Sequence, residues 1–127
     1  MAVVHPSHAE LAAGLAHVVA APRERGTLEM IVRRPARGER EVVTQGELDA
    51  EEGLVGDRWA RGKRRRVNQL TLMNARLAAL VAGSAERWPL AGDQLYVDLD
   101  LSEEHLPPGT RIAVGGAVVE ISAEPHT

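Results

Sequence analysis

The stretch Leu95–Leu101, with the sequence LYVDLDL, gives the clearest indication of the fold. Every odd-numbered position in it is Leu or Val, and the positions between them are Tyr or Asp. A period of two places alternate side chains on opposite faces of a β-strand, so one face of this strand is apolar and the other is polar. The stretch therefore predicts a half-buried strand over residues 95–101, whose apolar face the rest of the fold has to cover.

Shorter segments on both sides of this stretch repeat the strand pattern. Alternation predicts strands near residues 27–33, 41–48 and 70–72, and Gly115-Gly116 predicts a two-residue hairpin turn between strands 111–114 and 117–121. Apolar residues at helical spacing predict two helices. One is capped by Ser7 and ends before Pro22, and the other is capped by Asn74 and ends at Gly83.

These elements define the fold class that we expect. Strands and helices do not alternate regularly, so the sequence does not predict a parallel sheet. Antiparallel strands that bury one face have to close on themselves or pack on another layer. We expect a mainly β domain, a small antiparallel β-barrel with two peripheral helices, which is α+β by content. Residues 1–25 would form an N-terminal helix and lead-in, and residues 26–127 would form the barrel domain.

Composition excludes several classes of function. The chain has 127 residues, the size of one domain, and a formal net charge of -3. This charge and an aromatic content of 2% disfavour nucleic-acid binding, which uses positive surfaces and stacking rings. No Cys is present for a disulfide, a thiolate metal site or a thiol nucleophile.

No apolar run approaches the roughly 18 residues of a membrane span. The N-terminus does not resemble a secretory signal, so we expect a cytoplasmic protein.

The loop Gly53–Trp59 is the first candidate for chemistry. Its two glycines allow backbone conformations that bring amides close to a ligand. Asp57 would orient the guanidinium of Arg58, whose planar fork suits a phosphate or a carboxylate. The same residues also fit a purely structural turn that is held by an internal ion pair, with Trp59 packed beneath it. The sequence leaves both interpretations open.

Other charged residues give weaker indications. The run Arg61–Arg66 has five cations in six residues, which fits either a bound anion or a solvated surface. Asp98 and Asp100 would lie about 7 Å apart on one strand face, within reach of a cation, although a solvated strand face has the same pattern. His5 and His8 are a weak metal-ligand pair, and we predict no metal site.

Six segments taken together resemble the MOSC domain, the module named after the C-terminal part of molybdenum-cofactor sulfurase. They occur in the family's order and span about residues 26–127. No single segment is specific, whereas the ordered set is. The segments are Gly53–Trp59, Asn68–Asn74, Ala91–Leu95, Val97–Ser102, Leu106–Thr110 and Gly115–Glu120.

The resemblance implies a closed β-barrel like the barrel domain of pyruvate kinase, and a link to the molybdenum cofactor. Stand-alone members resemble sulfur carriers, which a desulfurase would load, or small reductases that hold molybdopterin and act on N-hydroxylated compounds. The family is also associated with pyridoxal phosphate. A Cys is central to both forms and typically follows a Pro-His-Thr-Gly segment, of which Pro125-His126-Thr127 is present here. The expected Cys and the closing strands would lie beyond Thr127, so the chain is either a fragment of a longer protein or a truncated barrel without catalysis. A barrel without its closing strands would expose strand edges, which would favour a homodimer.

The resemblance also implies roles for particular residues. Asp57, Arg58 and Trp59 match the family's Asp-Arg loop beside the cofactor pocket, where the Arg would contact the pterin phosphate. Asn74 would offer the amides of a helix N-terminus to an anion. His126 and Thr127 would line the same pocket. The alternative function is a non-catalytic β-barrel module that binds an anion or RNA.

Overall fold

The computed structural model of the protein describes residues 7–64 and 69–122. These residues form two α-helices, eight short β-strands and two 3₁₀ segments. The helices are α1 (His8–Val19) and α2 (Ala75–Ala82), and the 3₁₀ segments are Arg58–Arg61 and Ala85–Ala91. The strands are β1 (Thr27–Arg33), β2 (Glu41–Val43), β3 (Leu48–Asp49), β4 (Gly53–Leu54), β5 (Leu72–Asn74), β6 (Leu95–Asp98), β7 (Arg111–Val114) and β8 (Ala117–Glu120). The described structure is 28% helical and 26% strand. This mixed content agrees with the α+β composition that we expected, whereas the expectation of a mainly β domain is wrong, because the two α-helices and the 3₁₀ segments contain as much of the chain as the short strands do.

Four strands form the largest sheet, in the order β2-β1-β6-β5. β1 is antiparallel to both of its neighbours, and a register irregularity between Leu28 and Met30 interrupts its pairing with β6. β5 is parallel to β6, so the expectation of a fold without a parallel pair is wrong. The physical reason is the connection: α2 and the second 3₁₀ segment carry the chain from the end of β5 back to the start of β6.

The four-stranded sheet is covered on both faces at β6. Leu95 and Val97 pack with Leu54 on one face, and Tyr96 packs with Ala78 of α2 on the other. All three of these β6 residues are buried, so β6 is a central strand rather than the half-buried strand that its alternation predicts. Position 96 belongs to the face that the alternation predicts to be polar. Its residue is a tyrosine, however, whose ring is apolar enough to enter the core.

The strand pattern continues beyond the point where the strand itself ends. β6 ends at Asp98, whose carboxylate accepts a hydrogen bond from the Arg76 guanidinium at 2.7 Å. Two residues further on, the Asp100 N–H donates to the carbonyl of Pro22 at 2.7 Å, and its carboxylate accepts from the Ser102 N–H at 2.9 Å. The last two bonds occupy the backbone N–H groups of Asp100 and Ser102, which a longer strand would use in its ladder.

The helix α1 lies against α2 on the outside of the sheet. Its N-terminus is capped as predicted, since the Ser7 hydroxyl accepts from the Glu10 N–H at 3.2 Å. A side chain in place of Gly14 would collide with Leu80 of α2, so this glycine allows the two helices to approach closely. The Arg76 guanidinium also donates to the carbonyl of His17 at 3.0 Å. These contacts attach α1 to the domain although none of its residues is buried.

The remaining strands form two separate hairpins, β3–β4 and β7–β8. The second hairpin turns at Gly115-Gly116 as predicted, with Gly115 at a φ of 59°. Within residues 7–64 and 69–122, no strand ladder joins either hairpin to the larger sheet, and the strands do not close into a barrel. The predicted second strand over 41–48 is divided into β2 and β3, and strands of two or three residues are too short to close a cylinder.

Candidate functional site

Two glycines shape the loop that leads from β4 into the first 3₁₀ segment. Gly53 and Gly56 have φ values of 73° and 91°, a conformation that residues with a side chain rarely adopt. A Cβ on Gly53 would lie 2.9 Å from the carbonyl oxygen of Gln69. The loop therefore requires glycine at position 53. The turn that it makes places the side chain of Asp57 in the interior of the protein.

Asp57 is bound by Arg34, the residue that follows β1. The Arg34 guanidinium donates to the two carboxylate oxygens of Asp57 at 2.9 and 2.8 Å, and the Arg34 N–H donates at 2.8 Å. The Trp59 N–H donates to the same carboxylate at 3.1 Å. The expectation that Asp57 orients Arg58 is therefore wrong, because the carboxylate is fully used by Arg34 and by the start of the 3₁₀ segment.

Burial and hydrogen bonding act in opposite directions on this ion pair. The side chain of Asp57 has 0% of its surface exposed and that of Arg34 has 14%. Burial would raise the pKa of Asp57, but the hydrogen bonds from Arg34 and from the Trp59 N–H outweigh it, and the pKa lies below its usual value. The hydrogen bond to Asp57 raises the pKa of Arg34. The pair is thus ionised at neutral pH and ties β1 to the glycine loop.

Arg58 is left with an uncommitted side chain. Its backbone N–H donates to the carbonyl of Arg34 at 2.7 Å, which fixes the position of its Cα. Its guanidinium has neither a hydrogen bond nor an ion pair within the described part of the chain, and the residue is half-buried. Trp59 beside it is buried, in agreement with a ring packed beneath the loop. The backbone of Arg58 is therefore fixed, while the five N–H donors of its guanidinium are available to an anion.

Asn74 caps α2 with its own side chain. Its carboxamide oxygen accepts from the N–H groups of Arg76 and Leu77 at 2.8 and 3.2 Å, and its Nδ2 donates to the carbonyl of Leu99 at 3.4 Å. Two of the amides that the sequence analysis assigned to an anion are thus already satisfied. Within the described residues, no hydrogen bond or ion pair joins Asn74 to Arg58.

Several predicted residues lie outside the described part of the chain. These are His126 and Thr127, the predicted pocket residues, together with His5 of the histidine pair and Arg65 and Arg66 of the basic run. Asp98 and Asp100 are described, and each carboxylate is paired with an arginine, Arg76 and Arg23 respectively. The charges of the two carboxylates are balanced by these arginines, so a bound cation is not needed to account for them.

An open cavity of about 1210 Å³ lies between the two hairpins and β5. Its wall draws on all three sheets, and the apolar side chains of Leu48, Leu72, Leu106 and Val119 contribute to it. The carboxyl-bearing residues Asp49, Glu103 and Glu120 also line it. Asp57, Arg58, Trp59 and Asn74 are not among the lining residues, so the candidate anion site and the cavity are separate features of the described structure.

Sequence reasoning missed two residues that the structure places in the interior. One is Arg34, whose only sequence signal is its position between a strand and Pro35. The other is Gln94, which is completely buried and whose Oε1 accepts from the N–H of Thr71 at 2.8 Å. The Nε2 of Gln94 has no partner among the residues that the structure describes. An Arg or a Gln in a polar loop gives no pattern that would have identified either role.

Comparison with known proteins gives no relative. No protein-family model matches the chain, and no curated protein or solved structure matches it. None of the helices in the described part is both long and apolar enough to cross a membrane. Over the same residues, no group of three His, Cys, Asp or Glu side chains is arranged to hold a metal ion.

Proposed function

We propose that this chain is a MOSC-type domain that binds the molybdenum cofactor, with Arg58 contacting the phosphate of the pterin. One observation carries the proposal. The loop that resembles the family's Asp-Arg loop is held rigidly by the buried Arg34–Asp57 pair, and the adjacent Arg58 has no described partner. The backbone bond to Arg34 fixes the Cα of Arg58, and the planar fork of the guanidinium matches two phosphate oxygens.

The residues present fit one end of the cofactor. Arg58 supplies a cation for the phosphate, whereas Asp57 acts as a positioning residue and Trp59 supports the loop from below. When bound, the cofactor would supply redox chemistry at molybdenum. Sulfur transfer and reduction of N-hydroxylated compounds both use a thiolate in this family, and none of the 127 residues is a cysteine. The residues of this chain would therefore bind the phosphate end of the cofactor.

We also propose that the cavity is the interior of a MOSC-type barrel. Its supporting observation is that one strand from each sheet contributes an apolar side chain to the wall, namely β3, β5 and β8. Within the described residues, β5 has a hydrogen-bonded neighbour on one side only. Free strand edges of this kind are the surfaces through which a further strand or a second copy would pair.

The test of cofactor binding is a fluorescence titration with a phosphorylated, oxidised pterin and with its dephosphorylated form. We expect the phosphorylated form to bind more tightly. Replacement of Arg58 by Gln should weaken its binding about 10- to 100-fold, because a hydrogen-bonded charge is worth about 1.5–3 kcal/mol. Arg58→Gln leaves the backbone bond to Arg34 in place, so the loop should keep its shape.

The matched control is Arg25→Gln, which removes the same charge from an exposed position outside the loop. It should leave the affinity for the phosphorylated pterin unchanged. Equal affinities for the two pterins, or equal weakening by both substitutions, would contradict the proposal.

A further inference from the structure

Two basic segments that are separated in the sequence lie side by side in the structure. Residues 33–41 form the end of β1, the following turn and the start of β2, and residues 57–64 contain the first 3₁₀ segment. The N–H of Arg58 donates to the carbonyl of Arg34, and the guanidinium of Arg61 donates to the carbonyl of Pro35. The buried Arg34–Asp57 pair joins the two segments from the inside.

Their combined charge is opposite in sign to that of the whole chain. The two segments carry eight Arg or Lys residues and three carboxyl-bearing residues, a net charge of +5, whereas the chain as a whole has -3. Two of the three carboxylates are paired within the segments, Glu41 with Arg33 and Asp57 with Arg34. Residues 33–41 contribute +2 and residues 57–64 contribute +3, and the fold brings these two positive segments together.

The exposed cations of these segments have no carboxylate partner in the described part of the chain. We call them the basic surface; its members are Arg37, Arg40, Arg61, Lys63 and Arg64. Three of them donate a hydrogen bond to a neutral backbone carbonyl. Arg40 donates to the carbonyl of Pro89 at 3.1 Å, Arg64 donates to that of Ala60 at 2.6 Å, and Arg61 donates to that of Pro35. A bond to a carbonyl leaves the positive charge uncancelled, and each guanidinium keeps further N–H donors for a ligand.

The surroundings of the basic surface favour a phosphate polymer over an acidic protein as its partner. The segments 33–41 and 57–64 themselves contain none of the large exposed hydrophobic side chains of the described residues; Val42, which follows Glu41, and Leu90, which follows the Pro89 bound by Arg40, lie next to them. Protein interfaces use apolar and aromatic anchors at their centre, whereas interfaces with nucleic acid are more polar and strongly positive. Trp59 is the one aromatic residue of the two segments and is buried, so unpaired bases have no ring to stack on.

We propose that the basic surface binds the phosphate backbone of a double-stranded nucleic acid without reading its sequence. A duplex presents about one negative charge for each 1.7 Å of its axis, which allows several of the five cations to be neutralised at once. The proposal does not depend on cofactor binding, because the basic surface excludes Arg58.

The test measures fluorescence anisotropy of labelled duplexes of mixed sequence, one of RNA and one of DNA, over a range of salt concentrations. If all five cations engage phosphates, the slope of log K against log salt should be about -4.5, so that affinity falls roughly 500-fold between about 50 and about 200 mM salt. Both duplexes should bind, and the corresponding single strands should bind less tightly. Absence of binding at the lowest salt concentration, or tighter binding of the single strands, would overturn the proposal.

A pair of matched double variants locates the binding surface. Arg37→Gln with Lys63→Gln removes two cations that make no described hydrogen bond, so the fold should be preserved. This variant should reduce the slope by about 1.8 and weaken binding at about 50 mM salt by roughly tenfold or more. Arg25→Gln with Arg111→Gln removes two cations from exposed positions elsewhere, of which Arg111 pairs with Glu120 at 3.5 Å, and should have a much smaller effect.

Two further outcomes would overturn the proposal. One is equal loss of affinity in the two double variants, which would indicate attraction by overall charge rather than by the basic surface. The other is competition by polyglutamate as effective as that by unlabelled duplex, which would assign the surface to an acidic protein. Binding of the phosphorylated pterin by Arg37→Gln with Lys63→Gln should be unchanged, which separates this test from that of the proposed function.

Discussion

At the scale of single residues, the Arg34–Asp57 pair determines the geometry of the candidate site. Its carboxylate accepts four hydrogen bonds within 3.1 Å, from the Arg34 side chain and backbone and from Trp59. A buried charge that loses its partner costs more than the pair contributes in total, because the remaining charge stays desolvated. The loop that carries Arg58 should therefore be sensitive to either half of the pair.

We expect Asp57→Asn to destabilise the protein by about 3 kcal/mol, since it leaves the Arg34 guanidinium without its counter-charge. Chemical denaturation measures this loss. The double variant Arg34→Gln with Asp57→Asn should be less destabilised than the sum of the two single variants, because the side chains contact each other directly. Glu104→Gln, which changes an exposed carboxylate, is the control and should unfold like the unmodified protein.

The same pair makes a contribution to stability that depends on pH. The pKa of Asp57 is lower in the folded protein than in the unfolded chain, so the stabilisation is complete above the unfolded value of about 3.8. It is lost as the pH falls through the folded value. Below about pH 4, the stability of the unmodified protein should therefore decrease more steeply than that of Asp57→Asn. Parallel acid profiles of the two proteins would contradict the assignment.

The choice of Arg34 as the partner of Asp57 shows what the sequence could not provide. The glycines and the aspartate of the loop were identified from residues 53–59 alone, because φ preferences and the chemistry of charge are local properties. Arg34 lies 23 positions away, and the sequence offers Arg33, Arg34 and Arg58 as equal candidates. Only the packing of β1 against the loop distinguishes them.

At the scale of elements, local signals predicted both helices and the last hairpin well. The caps Ser7 and Asn74 and the turn at Gly115-Gly116 are where the sequence placed them. The parallel pairing of β5 with β6 was not predicted, because strand direction depends on where α2 packs. The burial of both faces of β6 was missed for the same reason, since Tyr96 counts as a polar position in an alternating pattern but packs as an apolar one.

We expect Asn74→Ala to destabilise the protein by about 1 kcal/mol, because it removes the cap of α2. Asn74→Asp should retain part of this stability, since a carboxylate accepts the same two N–H bonds and interacts favourably with the helix dipole, but it cannot donate to the carbonyl of Leu99 as the Asn74 Nδ2 does. Ser84 provides the matched control. It occupies the N-cap of the segment Ala85–Ala91 without a capping hydrogen bond. The free energy of unfolding of each variant is measured by urea titration, and Ser84→Ala should leave it unchanged. Equal effects of Asn74→Ala and Ser84→Ala would show that the cap does not stabilise the fold.

At the scale of the whole molecule, charge and burial are distributed unevenly. The basic surface lies at the β1–β2 turn and the first 3₁₀ segment, while carboxyl-bearing residues line the cavity between the hairpins. Neither feature follows from net charge or hydropathy, because each is assembled from segments that are distant in the chain. Composition predicted a chain of one-domain size with a small negative net charge, and it could not predict on which surfaces the charges would collect.

Tyr96 reports on the integrity of the whole core, since it is the only tyrosine in the chain and is completely buried. Its hydroxyl donates to the carbonyl of Trp88 at 2.7 Å, and its ring stacks on Trp88 with the ring centres 5.8 Å apart. Burial, assisted by the nearby charge of Asp93, raises the pKa of Tyr96 to about 12. Ionisation of this hydroxyl therefore competes with folding.

The neutral hydroxyl stabilises the folded state fully below the unfolded pKa of about 10, and this contribution is lost as the pH rises towards 12. The loss should amount to about 3 kcal/mol, at about 1.4 kcal/mol for each unit of pKa. An ultraviolet titration of tyrosinate should accordingly have its midpoint near 12 in the native protein and near 10 in urea. Tyr96→Phe should remove this alkaline dependence while losing one hydrogen bond, worth about 1 kcal/mol. A native midpoint near 10, with the circular dichroism of the folded protein retained, would mean that Tyr96 is accessible to water and that α2 does not cover the sheet as the structure has it.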